Sequence, residues 1–467
     1  MKTKSTFFAA LLAAFLLTSC LPRERMVWSP DGKAAIVATR DGLVVADAAG
    51  GMLGPITTDG GLSTQLDGTF VWEHDGSALY LVTEKKGLTW KDAAKLVPAD
   101  EAARVEILAK SLPLAIRAGK EGLPAGENKL EDVMRGFALG EQPLMLVAMR
   151  AAYESDPDTM KGLFAGLDDE KEVTEALGGE QLAIVVYQIR HQPMVAGKPD
   201  GEASLLLTSL FPPGQLAPSP DGKRLAFTRK SGDTFSIEHI SAHRAPNHTP
   251  VVVYPNLGAH AFVWSADGSR LFVARLLDEE LPLGRIESVS AVPGADAKDP
   301  RVLAEGMMAN PPSLALLPDG SILFPSSPVT YPITGTSHRP APAFHRVSPD
   351  GATITKVPTA DGALSADLRF FAVSPDGRHV AIVESGSTTV ATLELNSGEV
   401  KLVANPSAGW KCLTRPAWRN NAEFTYAAEK DGQPVVMLHS LESGSTPWGK
   451  GFPDGAFSDW LEPPEQK

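Results

Sequence analysis

Seven copies of one turn phrase, apolar strand-forming runs around each copy, and one helical interruption predict an all-β fold. The expectation is a seven-bladed β-propeller with an α-helical insertion in its second blade. The phrase first reads Trp28-Ser29-Pro30-Asp31-Gly32-Lys33. It returns as Trp72-Glu73-His74-Asp75-Gly76-Ser77, Pro218-Ser219-Pro220-Asp221-Gly222-Lys223 and Trp264-Ser265-Ala266-Asp267-Gly268-Ser269. Further copies are Leu317-Pro318-Asp319-Gly320-Ser321, Ser374-Pro375-Asp376-Gly377-Arg378 and a worn Ala417-Trp418-Arg419-Asn420-Asn421-Ala422. Blades are expected to start near residues 26, 69, 215, 261, 312, 369 and 415.

The phrase is a hairpin turn for chemical reasons. Pro pre-sets φ, Asp bonds its own neighbouring backbone, and Gly takes a positive φ with no Cβ clash. Gly32, Gly222 and Gly377 are therefore expected in the left-handed region. Runs such as Phe70-Val71-Trp72 before the turn and Leu79-Tyr80-Leu81-Val82 after it have strand chemistry. Trp28, Trp72, Trp264 and Trp418 are expected to fill the wedges between neighbouring blades.

These copies resemble the WD40-like (PD40) repeat of the TolB family, over most of the chain outside residues 1–25 and about 90–181. The resemblance implies propeller architecture and is nearly silent on activity, since that family includes scaffolds, sensors and propeller parts of hydrolases. Two copies depart from the pattern. The fifth has no Trp or Ser before Pro318, and the seventh has lost Pro, Asp and Gly.

Taken in order, the chain opens with Lys2 and Lys4 and an apolar stretch from Phe7 to Leu17. That stretch is too short for a membrane span and matches a signal-peptide core. Leu17-Thr18-Ser19-Cys20 looks like a bacterial lipobox, which implies a lipoprotein signal peptide at 1–19 and a lipidated Cys20. The alternative is a plain signal peptide with an incidental Cys. The body, 20–467, would then be anchored in the bacterial cell envelope. The absence of Asp at position 21, where Leu21 stands, favours the outer membrane by resemblance to the enterobacterial sorting rule. With only two cysteines there is no disulfide framework, and Cys412 reads as a small buried apolar residue. Removing residues 1–19 takes away two lysines and moves the formal charge from −13 to −15. An acidic body argues against nucleic acid and against direct anionic-lipid binding, leaving the lipid anchor as the membrane contact.

Blade one is expected at Met26–Trp28, Ala34–Ala38, Leu43–Asp47 and Leu53–Thr57. Blade two begins at Thr69–Trp72 and Ala78–Val82 and resumes at Leu182–Arg190 and Ser204–Leu210. Between them, residues 90–181 carry apolar positions at helical spacing in Asp100–Leu112, Leu130–Leu139, Leu144–Ser155, Thr159–Ala165 and Glu170–Leu177. Blades three to seven run on without another large insert. Blade five carries a Pro- and Ser-rich detour from Pro325 to Pro342, and Trp448 to Trp460 has loop-like composition.

No Gly-x-Ser-x-Gly elbow, zinc helix or phosphate loop occurs in the sequence. His239, His243 and His248 lie on a strand end and a Pro-Asn-rich loop, and are expected to face solvent. Asp278-Glu279-Glu280 and Asp168-Asp169-Glu170 read as solvated surface. No catalytic residue, cofactor or metal site is expected. The expected function is a non-enzymatic envelope lipoprotein that scaffolds a protein partner. The alternative is a propeller enzyme or small-ligand binder with its residues gathered at the central channel.

Overall fold

The structure is a computed structural model. It describes residues 24–460 apart from 59, 64–67, 123–128, 131–132, 134–141, 180–182, 232–233, 243–248, 259, 278–282, 292–299, 309–310, 328–341, 361–362, 365–367, 369, 384–388, 405–410, 413, 431–432 and 458–459. The lipobox with Cys20, the residues His243 and His248, and Asp278-Glu279-Glu280 lie outside the described residues.

Seven antiparallel sheets follow one another along the chain, each built from contiguous sequence. They form a seven-bladed β-propeller. Blade one is Met26–Trp28, Ala34–Thr39, Gly42–Asp47 and Met52–Pro55. Blade three is Pro213–Pro218, Arg224–Ser231, Thr234–Ser241 and Val251–Leu257. Blade four is His260–Trp264, Arg270–Leu276, Leu283–Ser290 and Arg301–Met307. Blade five is Ala315–Leu316, Ile322–Ser326, Ala343–Val347 and Ile354–Lys356. Blade six is Phe370–Val373, His379–Val383, Val390–Glu394 and Val400–Ala404. Blade seven is Ala417–Trp418, Glu423–Lys430, Gln433–Ser440 and Gly444–Pro447, with Lys411–Cys412 paired beside its second strand.

First strands touch first strands from blade to blade and line the inside of the ring, while the fourth strands are its exposed rim. The core lies in the seams between blades. Trp72, Leu79 and Leu81 pack with Ala34, Ile36 and Val45 across the first seam, and Trp264, Leu271 and Val273 with Ala226 and Ile237 across the third.

Within a blade the turn phrase joins strands one and two at one face of the ring, the phrase face. Turns between strands two and three lie at the opposite, far face. Blade two shows why this matters. Its second and third strands, Ala78–Leu88 and Ile184–Val195, are longer than expected and run out past the far face. There they carry helices α1 (Trp90–Ala93), α2 (Ala99–Glu121), α3 (Gln142–Ser155), α4 (Pro157–Phe164) and α5 (Glu170–Gly178). The short pairings Gly61–Leu62 and Lys198–Pro199 extend the same sheet. Helix α2 runs nine residues beyond the expected end at Leu112, straight through Pro113. Proline removes one helical N–H, but burial of Leu112 and Ile116 against the insertion core outweighs that loss. Of the helix expected at Leu130–Leu139, Leu130 and Val133 are helical and buried, and all its other residues lie outside the described set.

The helices share one core, which includes Val105, Leu112, Ile116, Leu144, Phe164 and Val173. It is continuous with Ile184, Val186, Leu210 and Phe211 of the propeller. Polar side chains close the helix ends. Asp156 Oδ1 accepts from Thr159 N at the start of α4, and Lys120 Nζ donates to the Leu163 and Ala165 carbonyls at its end.

Among the described residues no strand is exchanged between blades seven and one. The seam is closed by side chains and by the segment after Pro447, expected only as loop. Trp448 and Trp460 are buried there with Met26, Trp28, Ala427 and Val436. The Trp448 indole donates to the Ala48 carbonyl at 3.2 Å, Arg40 N donates to the Ala456 carbonyl, and the Trp460 indole donates to the Ala38 carbonyl at 2.8 Å. The tail is thus a strap along blade one, from the turn after its third strand to the turn before it. Rings Trp28, Trp448, Phe452, Phe457 and Trp460 follow in sequence at centroid separations of 5.5, 6.1, 5.1 and 4.6 Å.

Candidate functional site

The turn phrase is a small polar machine repeated around the phrase face. In blade one Ser29 Oγ donates to Asp31 Oδ1 at 2.7 Å and accepts from Ala34 N, while Asp31 Oδ1 also accepts from Lys33 N. Ser219 with Asp221, Ser265 with Asp267 and Ser374 with Asp376 repeat the pattern. These bonds, the serine hydroxyl foremost, hold the Asp31 and Asp221 carboxyls below the usual range and bring Asp267 to about 2. Gly32, Gly76, Gly222, Gly268, Gly320 and Gly377 have φ of +67°, +74°, +66°, +68°, +81° and +70°.

The two irregular copies have physical accounts. Leu317 has no hydroxyl to accept the later N–H, so the Asp319-Gly320 turn closes onto Ser321. In blade seven the turn is a residue shorter, and Asn420 Oδ1 takes the aspartate role by accepting from Ala422 N and Glu423 N. A further copy, Ser348-Pro349-Asp350-Gly351, escaped the repeat reading. It has the same bonds and φ of +69° at Gly351, but joins strands three and four of blade five.

Tryptophans lock blades two, four and seven each to the blade before it. Trp72, Trp264 and Trp418 donate to the carbonyls of Val27, Ala217 and Ala372, each next to the last residue of the preceding blade's first strand. Trp28, Trp72 and Trp264 are buried; Trp418 is half-buried, with its ring 4.9 Å from that of Phe424.

Blade two replaces Ser-Pro with Glu73-His74. Buried Glu73 accepts from Tyr80 Oη and Ser77 Oγ, both at 3.2 Å, and His74 Nε2 donates to the Pro218 carbonyl of blade three. Burial, with the Glu73 charge second, pushes the Tyr80 phenol far up. Glu73 is used inside the fold. So is Glu287 of blade four, which accepts from Arg275 at 2.9 and 3.1 Å and from Tyr254 Oη at 2.6 Å across the seam.

Glu101 of α2 was not visible as a site in the sequence. It is buried and accepts from Ser209 Oγ at 2.9 Å, Leu210 N at 2.7 Å and Arg229 of blade three at 3.1 Å. Arg229 also pairs with Glu238 at 3.1 Å. Desolvation pushes the Glu101 carboxyl up, and these donors pull against it. The group clasps the insertion to blades two and three.

Histidine and acid clusters differ from their sequence reading. His239 does not face solvent. It is buried, donates from Nε2 to the Ala291 carbonyl at 3.0 Å, and its pKa is lowered by burial. Asp169 is buried rather than solvated and accepts from Leu130 N, while Glu170 accepts from Gly166 N. Among the described residues no three His, Cys, Asp or Glu side chains converge as metal ligands. Cys412 sits in a two-residue strand of blade seven.

Two features face outward. One is a cleft of about 190 Å³ between blades six and seven, lined by His379, Glu394, Glu399, Lys401, His439 and Ser440 among others. The second is the rim. Met52, Val252, Val302, Ile354 and Leu402 are exposed on the fourth strands of blades one, three, four, five and six.

The lipoprotein LpqB β-propeller domain family (Gmad1) matches residues 346–448, from the third strand of blade five to the end of blade seven. With the repeat phrase and the sequential blades, this makes the ring a TolB-like β-propeller. Similar solved structures include TolB from Acinetobacter baumannii, 18% identical over 56% of this chain and 59% of that one, TM-score 0.38. A putative TolB from Agrobacterium tumefaciens is 16% identical over 53% and 83%, TM-score 0.36. Puromycin hydrolase is 15% identical over 56% and 43%, TM-score 0.39. The chain thus spans less than two thirds of the Acinetobacter TolB and less than half of the hydrolase. No curated protein matches the sequence.

Proposed function

We propose that this chain is a lipid-anchored bacterial envelope protein whose propeller is a non-catalytic scaffold for a protein partner. The carrying observation is the rim. Five fourth strands present an exposed apolar side chain on an outermost strand, where the outward backbone groups are open to pairing. An extended partner segment gains main-chain hydrogen bonds there and side-chain contacts with Val302, Ile354 or Leu402. The lipobox at Cys20 and the family match over residues 346–448 support the envelope address. The buried carboxylates of Glu73, Glu101 and Glu287 each accept hydrogen bonds from within the fold, which fits scaffolding.

The test is a photo-crosslinking residue at Val302, Ile354 or Leu402 in the producing bacterium. A discrete adduct from the rim, absent from a probe at Lys33 on the phrase face, is the expected result. A folded protein that yields adducts only from the phrase face would overturn the rim as the docking surface.

Small-ligand binding is favoured by one observation, the cleft at His379 and His439, where His379 Nδ1 is buried without a hydrogen-bond partner. Chemical-shift changes confined to these two histidines on screening small anions and sugars would support it.

A further inference from the structure

The chain reaches its first described residues at the same face of the ring that carries the insertion. Arg25 lies at the far-face end of blade one, where its carbonyl accepts from Ala38 N, and strand one then runs toward the phrase face. In blade two the strand starting at Ala78 leaves the phrase face and reaches the far face at Leu88, and α1 begins at Trp90. Between Cys20 and Glu24 the backbone spans at most about 14 Å, at ~3.5 Å per residue. A lipid on Cys20 therefore holds the far face close to the bilayer, and the part that projects from that face is the insertion.

Helix α2 has the surface for such a position. Ile107 and Leu114, at 66% and 70% exposed, are the most exposed large apolar side chains among the described residues. Seven residues apart, they lie on one helix face. Lys110 and Arg117 are exposed beside them, and the acidic Asp100, Glu106 and Glu121 are exposed on the same side of the helix, while Arg104 leans over the Phe211 ring of the propeller at 5.9 Å. Two fully presented apolar side chains with the long stems of Lys110 and Arg117 beside them suit a helix lying in the headgroup region. The opposite side of α2, with Glu101, Val105 and Leu112, is pinned to the propeller and its core.

We propose that the Ile107–Leu114 face of α2 rests on the bilayer surface and orients the propeller on its anchor, far face toward the membrane. This rests on the reading of Cys20 as lipidated.

The experiment uses the full-length protein as purified after processing, with Cys412→Ser and one added thiol, Leu114→Cys or Lys33→Cys, labelled with bimane. Each is mixed with vesicles of phosphatidylethanolamine and phosphatidylglycerol carrying brominated acyl chains. Both positions are exposed, so both variants should fold, which circular dichroism checks. Quenching several-fold stronger at Leu114 than at Lys33 is expected, and weaker when Lys110→Glu and Arg117→Glu are added. Equal quenching at the two positions, or none at Leu114, overturns the proposal. The mass of the N-terminal peptide reports separately whether Cys20 carries acyl chains or label. An acylated protein with an unquenched Leu114 probe refutes the helix contact alone. An unacylated protein with a quenched probe refutes the anchor and supports the helix contact.

Discussion

Trp28 donates its indole N–H to Thr425 Oγ1 at 3.0 Å, and Thr425 Oγ1 lies 3.3 Å from the Ala417 carbonyl. In three other seams the repeat tryptophan reaches the equivalent carbonyl of the preceding blade directly. At the closing seam the same link passes through one hydroxyl. The Arg419 guanidinium covers the Trp28 ring at 5.5 Å and donates to the Gly32 carbonyl, so the join is sealed on the phrase face as well.

Thr425→Val leaves the buried Trp28 N–H without an acceptor. The expected cost is about 1–3 kcal/mol, the range for orphaning a buried donor. Urea unfolding measures it. Adding Trp28→Phe to Thr425→Val should cost less than the two single losses combined, because they remove one shared interaction.

Acid should weaken the phrase face. Asp31, Asp221 and Asp267 have folded pKa values below the ordinary 3.8, led by the Ser29, Ser219 and Ser265 hydroxyls. A depressed carboxyl stabilises the fold above its unfolded pKa and loses that contribution as pH falls through the folded value. The window therefore runs from near 3.8 down to about 2 for Asp267. Melting temperature should fall through this window, and Ser265→Ala should lower it more at neutral pH than at the acid end. Equal losses at both pH values would remove the linkage.

The ring was legible because the turn phrase is local chemistry, complete within six residues and repeated. Its position within a blade was less so. Ser348-Pro349-Asp350-Gly351 makes the same turn between strands three and four, since the phrase specifies a turn and not which strands it joins. Glu101 was illegible for a different reason: its partner Arg229 is 128 residues away, and no spacing rule reaches that far. His239 was misread because strand alternation shows which residues share a face, not which face the next blade covers. The aromatic tail carries no period at all, so its packing on blade one emerged only in three dimensions.

Glu101→Ala should loosen the insertion before it unfolds the ring. Arg229 keeps Glu238 but loses its contact with α2, and Ser209 Oγ and Leu210 N lose their acceptor. Breaking a buried pair from one side costs about 3–5 kcal/mol. Amide exchange should rise in α2 and α3 while blades four to seven keep their protection. Glu101→Gln, which retains an acceptor, should lie between the two. A uniform rise over the whole chain would mean that the clasp is not what holds the insertion.

The strap makes the sharpest claim about how the ring closes. Trp460 is buried and donates to the Ala38 carbonyl, 422 residues earlier in the chain, and its ring packs at a tilt against Phe457 at the end of the aromatic series. No exchanged strand backs it up among the described residues, so its packing is the link between the chain's end and blade one. Trp460→Ala should cost about 3–5 kcal/mol, as large-to-small core changes do. Energy alone does not separate a strap from an ordinary core residue; location does. The amides of Met26–Trp28, Ala34–Thr39 and Gln433–Ser440 should lose exchange protection first, while blades three to five, on the other side of the ring, stay protected until global unfolding. Trp448→Ala should open the same set, since both rings fill one cluster. If Trp460→Ala lowered protection evenly around the ring, the tail would be one more packed segment, and closure would rest on the Trp28–Thr425 link and on Arg419.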